Sequence, residues 1–245
     1  MLYKAKALEG YKLEGYDGTI GTVVEFYFDD RHWAIRYLIA DTGDWLVDRK
    51  VLISPYALVD VNQNEQHISI NLTKKQIEKS PLLHSDKPVS QQFEQEYFGY
   101  YEWPMYWAGP FMWGAYPYIV RGGKNWEGAS PAGEKEWDPH LRSTHEVSSY
   151  HIQAADGELG HVEDFIIDDE TWAIRYLVIS THNWWPGKKV LISPLWITRV
   201  SWNESKVFVK LPREIIKESP EYTDESRVTR DYERELNHYY HRHGY

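Results

Sequence analysis

Three histidines near the C-terminus form the arrangement in this sequence that could chelate a metal ion. His238 and His241 are three residues apart and would share one face of a helix, with His243 close behind. Two imidazoles on one face can bind a divalent metal, although surface polar residues at a helix end give the same pattern. Because no carboxylate accompanies them at a fixed spacing, we expect no metal site and no cofactor, and keep His238 and His241 as the metal candidates.

Arg36 and Arg175 are charged residues inside otherwise apolar runs. Each follows an acidic pair, at residues 29–30 and 168–169 respectively. Arginine can bind a carboxylate through two parallel hydrogen bonds. We therefore predict an ion pair on the exterior of a sheet for each arginine, with a binding role as the alternative.

The sequence patterns that usually mark an enzyme are missing. Glu163 and Asp164 are adjacent, and adjacent side chains of a strand point to opposite faces, so their carboxyl groups cannot share a proton. Ser130 lacks the spacing of a nucleophile elbow, and the sequence contains neither a phosphate loop nor a dinucleotide fingerprint. We expect a protein without catalytic residues.

Composition limits the class of protein. With 42% hydrophobic residues and 26% charged residues, the chain can bury substantial cores, and its net charge of −10 disfavours nucleic acid as a partner. The chain has no cysteine, which excludes disulfides and thiolate chemistry. Residues 1–8 lack the apolar stretch of a signal peptide. These features predict a cytoplasmic protein.

The elements that must position these residues occur twice. Residues 17–81 align without a gap with residues 156–220, which marks a duplicated unit. The longest identical runs pair residues 33–38 with 172–177 and residues 50–55 with 189–194. Weaker agreement extends outward, for example from Glu94 to Glu233. We predict a first domain at 1–102, an insert or linker at 103–144 and a second domain at 145–245.

Each copy has the pattern of short strands followed by short helices. Asp-Gly dipeptides at 17–18 and 156–157 predict turns before strands. The predicted strands are 21–28, 33–40, 45–53, 56–61 and 67–72 in the first copy, with later counterparts at 184–192, 195–200 and 206–211 in the second. The predicted helices are 73–79 and 212–218, with a second helix in each copy starting near residues 88 and 226. The spacing favours antiparallel sheet or barrel.

The repeated motifs resemble those of the PRC-barrel domain family. They are Asp-Gly-x-Ile/Leu-Gly, the following Val23 or Val162, the Trp-Ala-Ile-Arg-Tyr-Leu strand and the Val-Leu-Ile-Ser-Pro segment. The family is named for the cytoplasmic domain of the photosynthetic reaction-centre H subunit and includes the barrel domain of the ribosome maturation factor RimM. The resemblance implies a mainly β protein with two tandem six-stranded barrels. It also implies a non-catalytic role in binding proteins or stabilising assemblies.

The segment between the copies is rich in aromatic residues. The partner-binding candidates in it are Trp103, Tyr106, Trp107, Phe111 and Trp113. Such clusters usually belong to cores or interfaces, so the segment either wraps a barrel or presents a surface to a protein or membrane. Its repeated prolines and glycines exclude a single membrane-spanning helix.

These observations lead to one hypothesis with two alternatives. We predict a non-catalytic protein-binding or assembly module, whose partners are proteins and could include a second copy of the chain. The first alternative is a small-molecule or metal-binding protein that uses the groove between the barrels. The second is an adaptor attached peripherally to a membrane through the aromatic insert.

Overall fold

The computed structural model describes most of both repeats. The described residues are 1–46, 49–81, 89, 91–106, 141–181, 187–223 and 228–244. Among the partner-binding candidates, Trp107, Phe111 and Trp113 lie outside these ranges, as does most of the predicted insert.

The chain divides into two compact units that each contain a piece of the other repeat. The first unit comprises Ala7–Ser143 and Asp169–Ala173. The second unit comprises Met1–Lys6, Thr144–Asp168 and Ile174–Tyr245. The boundaries of the units therefore differ from a division into consecutive domains. Residues 1–6 belong to the second unit and residues 141–143 to the first, and the turn Asp169–Ala173 also belongs to the first unit.

Fourteen strands are present in the described residues. In chain order they are β1 (Leu2–Lys4), β2 (Lys12–Gly15), β3 (Gly18–Asp29), β4 (Ala34–Asp41), β5 (Lys50–Ile53), β6 (Leu58–Asn62), β7 (His67–Ile70), β8 (Leu141–Ser143), β9 (His151–Ala154), β10 (Gly157–Asp168), β11 (Ile174–Ser180), β12 (Lys189–Ile192), β13 (Ile197–Ser201) and β14 (Lys206–Val209). The chain is thus mainly β, as the sequence predicts.

Six short α-helices accompany these strands in the described residues. They are α1 (Ala5–Leu8), α2 (Lys74–Glu78), α3 (Gln91–Tyr100), α4 (Thr144–Val147), α5 (Arg213–Glu218) and α6 (Arg230–Arg242). The predicted trailing helices are confirmed. Thr73 begins α2 with a capping box, because its side chain accepts from the Gln76 amide while Gln76 accepts from the Thr73 amide. No helix in the described part of the chain is long and apolar enough to cross a membrane.

Each unit contains one sheet of seven strands. The first sheet has the order β5-β4-β3-β2-β7-β6, with β8 also paired to β3, and the second has β12-β11-β10-β9-β14-β13, with β1 also paired to β10. Most neighbours are antiparallel, but β2 with β7 and β9 with β14 are parallel. The six strands expected from each repeat are present, as the six consecutive neighbours in each strand order given above. The seventh strand comes from the other repeat.

The two exchanged strands occupy equivalent positions. In the second unit Leu2 of β1 lies opposite Asp168, and in the first unit Leu141 of β8 lies opposite Asp29. Leu2 and Leu141 have the same place in the two copies, as do Asp29 and Asp168. The exchange is therefore reciprocal and keeps the same register.

Glycine explains part of the repeated sequence. A Cβ atom at Gly21 would lie 2.0 Å from the carbonyl oxygen of Asp41, and one at Gly160 would lie 2.0 Å from that of Ser180. Only glycine allows β3 and β10 to approach their neighbouring strands this closely. The last glycine of the Asp-Gly-x-Ile/Leu-Gly motif therefore serves strand packing in both copies.

One sequence prediction about the strands needs correction. Residues 45–53 were expected to form one strand, but Gly43–Leu46 is a 3-10 turn and β5 is only Lys50–Ile53. The reason is that Thr42 Oγ1 donates to the carbonyl oxygens of Leu46 and Arg49, which closes the segment into a loop.

Candidate functional site

The central strand of each unit meets the trailing helix at a set of equivalent polar residues. The set comprises Arg36, Tyr37 and Glu94 in the first unit, and Arg175, Tyr176 and Glu233 in the second. The tyrosine hydroxyl donates to the glutamate in both units: Tyr37 Oη lies 2.7 Å from Glu94 Oε1, and Tyr176 Oη lies 3.0 Å from Glu233 Oε1. This duplicated hydrogen bond attaches α3 to β4 and α6 to β11.

Arg36 is completely buried in the first unit. Its Nη2 lies 2.9 Å from Asp29 Oδ2, which confirms the predicted partner. Burial raises the pKa of Asp29, but the charge of Arg36, the hydrogen bonds from His32 and Arg36 and that from the Arg31 amide outweigh burial and hold this pKa below its usual value. The prediction of an exterior ion pair is wrong here, because other groups of the unit cover the arginine.

The segment that covers Arg36 follows α3. We call residues 101–106 the aromatic cover. The ring of Tyr106 lies over the Arg36 guanidinium, with 4.1 Å between Cζ and the ring centre, and Tyr106 Oη donates to Glu94 Oε1 at 2.6 Å. Tyr106 is only 3% exposed. Tyr106 is one of the partner-binding candidates predicted from the sequence, and in the described fold its ring packs on Arg36.

Trp103 makes the second set of contacts between the aromatic cover and the rest of the unit. Its ring stacks on Tyr101, with 4.4 Å between ring centres, and on Tyr56, with 6.0 Å. Trp103 itself is half-buried. The cover leaves the helix sharply, because Glu102 has a φ of 55° and the Trp103 amide donates back to the carbonyl oxygen of Phe98. This reversal brings Trp103 back over Tyr56.

Tyr37, beneath the cover, keeps its hydroxyl proton and acts as a hydrogen-bond donor. Burial raises the pKa of Tyr37 well above its usual value, and the nearby Glu94 raises it further. A neutral Tyr37 hydroxyl and the Tyr106 hydroxyl both reach the same oxygen of Glu94. These groups therefore satisfy one another inside the unit and hold α3 and the cover against β4.

Arg175 lies in different surroundings. Its ion pair is with Glu233 of α6, with 3.5 Å between Nη2 and Oε1, and its side chain is 42% exposed. The expected pairing with residues 168–169 is therefore replaced by a pairing with the helix. Burial raises the pKa of Tyr176 above its usual value, and Glu233 adds to this rise. The tyrosine–glutamate contact is thus kept while the arginine is more open than Arg36.

A second difference between the units lies in the turn that follows the Ser-Pro motif. Ser54 and Ser193 cap equivalent 3-10 turns, through their side-chain oxygens. These turns pack against β4 and β11. Tyr56 in the first turn is 5% exposed beneath Trp103, whereas Leu195 in the second turn is 76% exposed.

The second unit therefore has an exposed surface where the aromatic cover lies in the first. We call Arg175, Leu195 and Glu233 the open face. It combines an apolar side chain, a cation and a half-buried carboxylate. The turn that carries Leu195 packs against β11, which carries Arg175, and arginine is enriched at protein interfaces.

The predicted metal residues lie on the same helix as Glu233. His238 and His241 are exposed residues of α6. In the residues for which the structure gives positions, no group of three His, Cys, Asp or Glu side chains is arranged to hold a metal ion. Tyr239, between the two histidines, donates to the carbonyl oxygen of Ile215 and so fixes this turn of the helix.

The tyrosine–glutamate pairs were not predicted from the sequence. Tyr37, Glu94 and their counterparts Tyr176 and Glu233 recur at the same spacing, so the repeat contained a usable signal. Their pairing across 57 residues was not visible, because it depends on where the trailing helix docks. The sequence repeat gives no signal for the open face. The exposure of Arg175 depends on whether a distant segment folds over it, as the aromatic cover does over Arg36.

Comparison with known proteins agrees with this architecture. A search of curated proteins finds no match to this chain. The family model described as PRC-barrel domain matches in two segments, residues 2–77 and 145–216, which together cover more than half of the sequence. Both segments begin near the exchanged strand of a repeat and end in its first trailing helix. The chain therefore belongs to the PRC-barrel domain family, with two copies of the domain in tandem.

Proposed function

We propose that this protein is a non-catalytic protein-binding module and that the open face is its binding surface. The observation that carries the proposal is the difference between equivalent positions of the two units. Tyr56 and Arg36 are buried in the first unit, while Leu195 and Arg175 are 76% and 42% exposed in the second. Leu195 lies in the turn that packs against β11, the strand of Arg175, so the difference affects neighbouring elements of one unit.

The titratable residues shared by both units support a role without catalysis. Tyr37 and Tyr176 are held neutral by burial and donate to Glu94 and Glu233, so their hydrogen bonds join elements of the fold. Residues that recur with the fold and act in the same contact in each copy serve the fold. Residues that differ between the copies are then the better candidates for function.

Site-specific photo-crosslinking in the cells that make the protein tests this proposal. A photoreactive amino acid placed at Leu195 should give a discrete covalent adduct with a protein. Trp202, which is also exposed and apolar but lies beyond β13, is the matched control position. We expect no adduct of the same size from position 202.

Two outcomes would contradict the proposal. The first is the absence of any protein adduct at position 195. The second is an equal adduct at both positions, which would indicate nonspecific contact. Native mass spectrometry of the untagged protein provides a further check, because a stoichiometric metal or small ligand would favour the small-molecule alternative.

A further inference from the structure

In the first unit, the aromatic cover lies on the residues equivalent to the open face of the second unit. Its contacts indicate which side chains could bind the open face. Trp103 and Tyr106 are three residues apart in a segment without regular secondary structure, and each contacts the counterpart of one open-face residue. Trp103 stacks on Tyr56, the counterpart of Leu195. Tyr106 places its ring over Arg36, the counterpart of Arg175.

The two polar groups that receive Tyr106 are both kept in the second unit. Arg36 corresponds to Arg175, and Glu94 corresponds to Glu233. A tyrosine ring over an arginine gains a cation–π interaction, and its hydroxyl can donate to the carboxylate at the same time. The spacing between Arg175 and Glu233, 3.5 Å between charged atoms, places both groups within reach of a single tyrosine side chain.

The apolar part of the face also fits this chemistry. Leu195 replaces Tyr56, so a tryptophan there would lose a stacked ring but would still bury an aliphatic side chain. The next residue, Trp196, packs against Tyr240 of α6, with 4.0 Å between ring centres and an angle of 38° between the rings. This contact holds the turn against the helix that carries Glu233.

We propose that the open face binds a segment of a partner protein that carries tryptophan and tyrosine three residues apart. The tryptophan contacts Leu195, while the tyrosine ring lies on Arg175 and its hydroxyl donates to Glu233. This inference rests on the proposed function and specifies its partner. Because the partner segment is not tethered as the aromatic cover is, the interaction lacks the high effective concentration of the intramolecular contact and is reversible.

Peptide binding to the full chain tests the proposed chemistry. The probe is a fluorescein-labelled synthetic peptide with the sequence of residues 101–106, Tyr-Glu-Trp-Pro-Met-Tyr. We expect saturable binding by fluorescence anisotropy, at least about tenfold weaker for Leu195→Asp and within about twofold for Trp202→Asp. Both substitutions are at exposed positions, so the variants keep their fold.

A second pair of changes isolates the tyrosine. Replacing the last tyrosine of the peptide by phenylalanine should weaken binding by about three- to tenfold, the usual effect of losing one hydrogen bond. The same replacement should have a smaller effect on the Glu233→Gln variant, because the charged acceptor is gone. Equal effects on both proteins would overturn the assignment of Glu233 as the acceptor.

The outcomes separate this inference from the proposed function. Failure of the peptide to bind saturably, or equal binding to wild type and Leu195→Asp, would overturn the aromatic partner. If a protein adduct nevertheless formed at position 195 in cells, the binding surface would stand and only the partner's chemistry would be wrong. If neither experiment succeeded, both proposals would fall.

Discussion

Asp164 is a buried carboxyl group that fastens an exchanged segment. It is 4% exposed, and its Oδ1 accepts from the amides of Phe165, at 2.8 Å, and Lys6, at 3.2 Å. Lys6 follows β1, so this bond ties the start of the chain to β10. The equivalent Glu25 of β3 accepts from the Ser143 hydroxyl, at the end of β8.

Burial makes the ionised form of Asp164 unfavourable. It raises the pKa from 3.8 to about 6, although the two amide hydrogen bonds and the charges of Lys6 and Lys4 oppose the rise. Because the folded-state pKa is above the unfolded one, this contribution to stability is complete below about pH 4 and is lost as the pH rises to about 6. The loss is about 3 kcal/mol, since each tenfold change in proton affinity corresponds to about 1.4 kcal/mol.

Asp164→Asn should therefore stabilise the protein at neutral pH. Asparagine is neutral, has nearly the same shape and can accept both amide hydrogen bonds through Oδ1. We expect the free energy of unfolding at about pH 7.5 to rise by about 2 to 3 kcal/mol, and the gain to disappear near pH 4. Urea unfolding followed by tryptophan fluorescence, repeated across this pH range, measures the difference.

Glu163→Gln is the matched control. Glu163 precedes Asp164 on β10 but forms a partly exposed ion pair with Lys189, with 2.6 Å between Nζ and Oε1. Its replacement removes the same charge and should cost at most about 1 kcal/mol. Destabilisation by Asp164→Asn at about pH 7.5, or a gain that is as large near pH 4, would refute the reasoning.

Two further stability predictions follow from the comparison of equivalent positions. Arg36→Met should lower the free energy of unfolding by about 3 to 5 kcal/mol, because it leaves the buried Asp29 without its cation, whereas Arg175→Met at a 42% exposed position should cost at most about 1 kcal/mol. Similar losses in denaturant titrations would contradict this. Gly21→Ala should destabilise by at least about 2 kcal/mol because its Cβ would meet the Asp41 carbonyl oxygen, while Gly99→Ala in α3 has open space and should gain up to about 1 kcal/mol. Thermal unfolding that ranks these two variants in the opposite order would show that the close approach is not what requires glycine.

The sequence was sufficient for the class of fold and for the position of most elements. The duplicated runs predicted β4 and β11, and the Asp-Gly dipeptides predicted the starts of β3 and β10, because turn glycines and alternating apolar residues are local signals. It was also sufficient for the partner of Arg36, since an acidic turn lies seven residues before it. The segment around Trp45 was predicted wrongly, because side-chain hydrogen bonds to Leu46 and Arg49 carbonyls closed it into a loop.

The sequence by itself determined a PRC-barrel architecture made twice, and it pointed to the differences between copies as the place to seek activity. Only the tertiary structure decided that β1 and β8 complete the sheets of the opposite repeats, because strands of three residues carry almost no sequence signal and are placed by the edge that accepts them. Tertiary structure also decided that Arg36 is buried and Arg175 is open. Two arginines in identical hexapeptides differ because burial depends on distant residues, here Tyr106, that fold back over one copy.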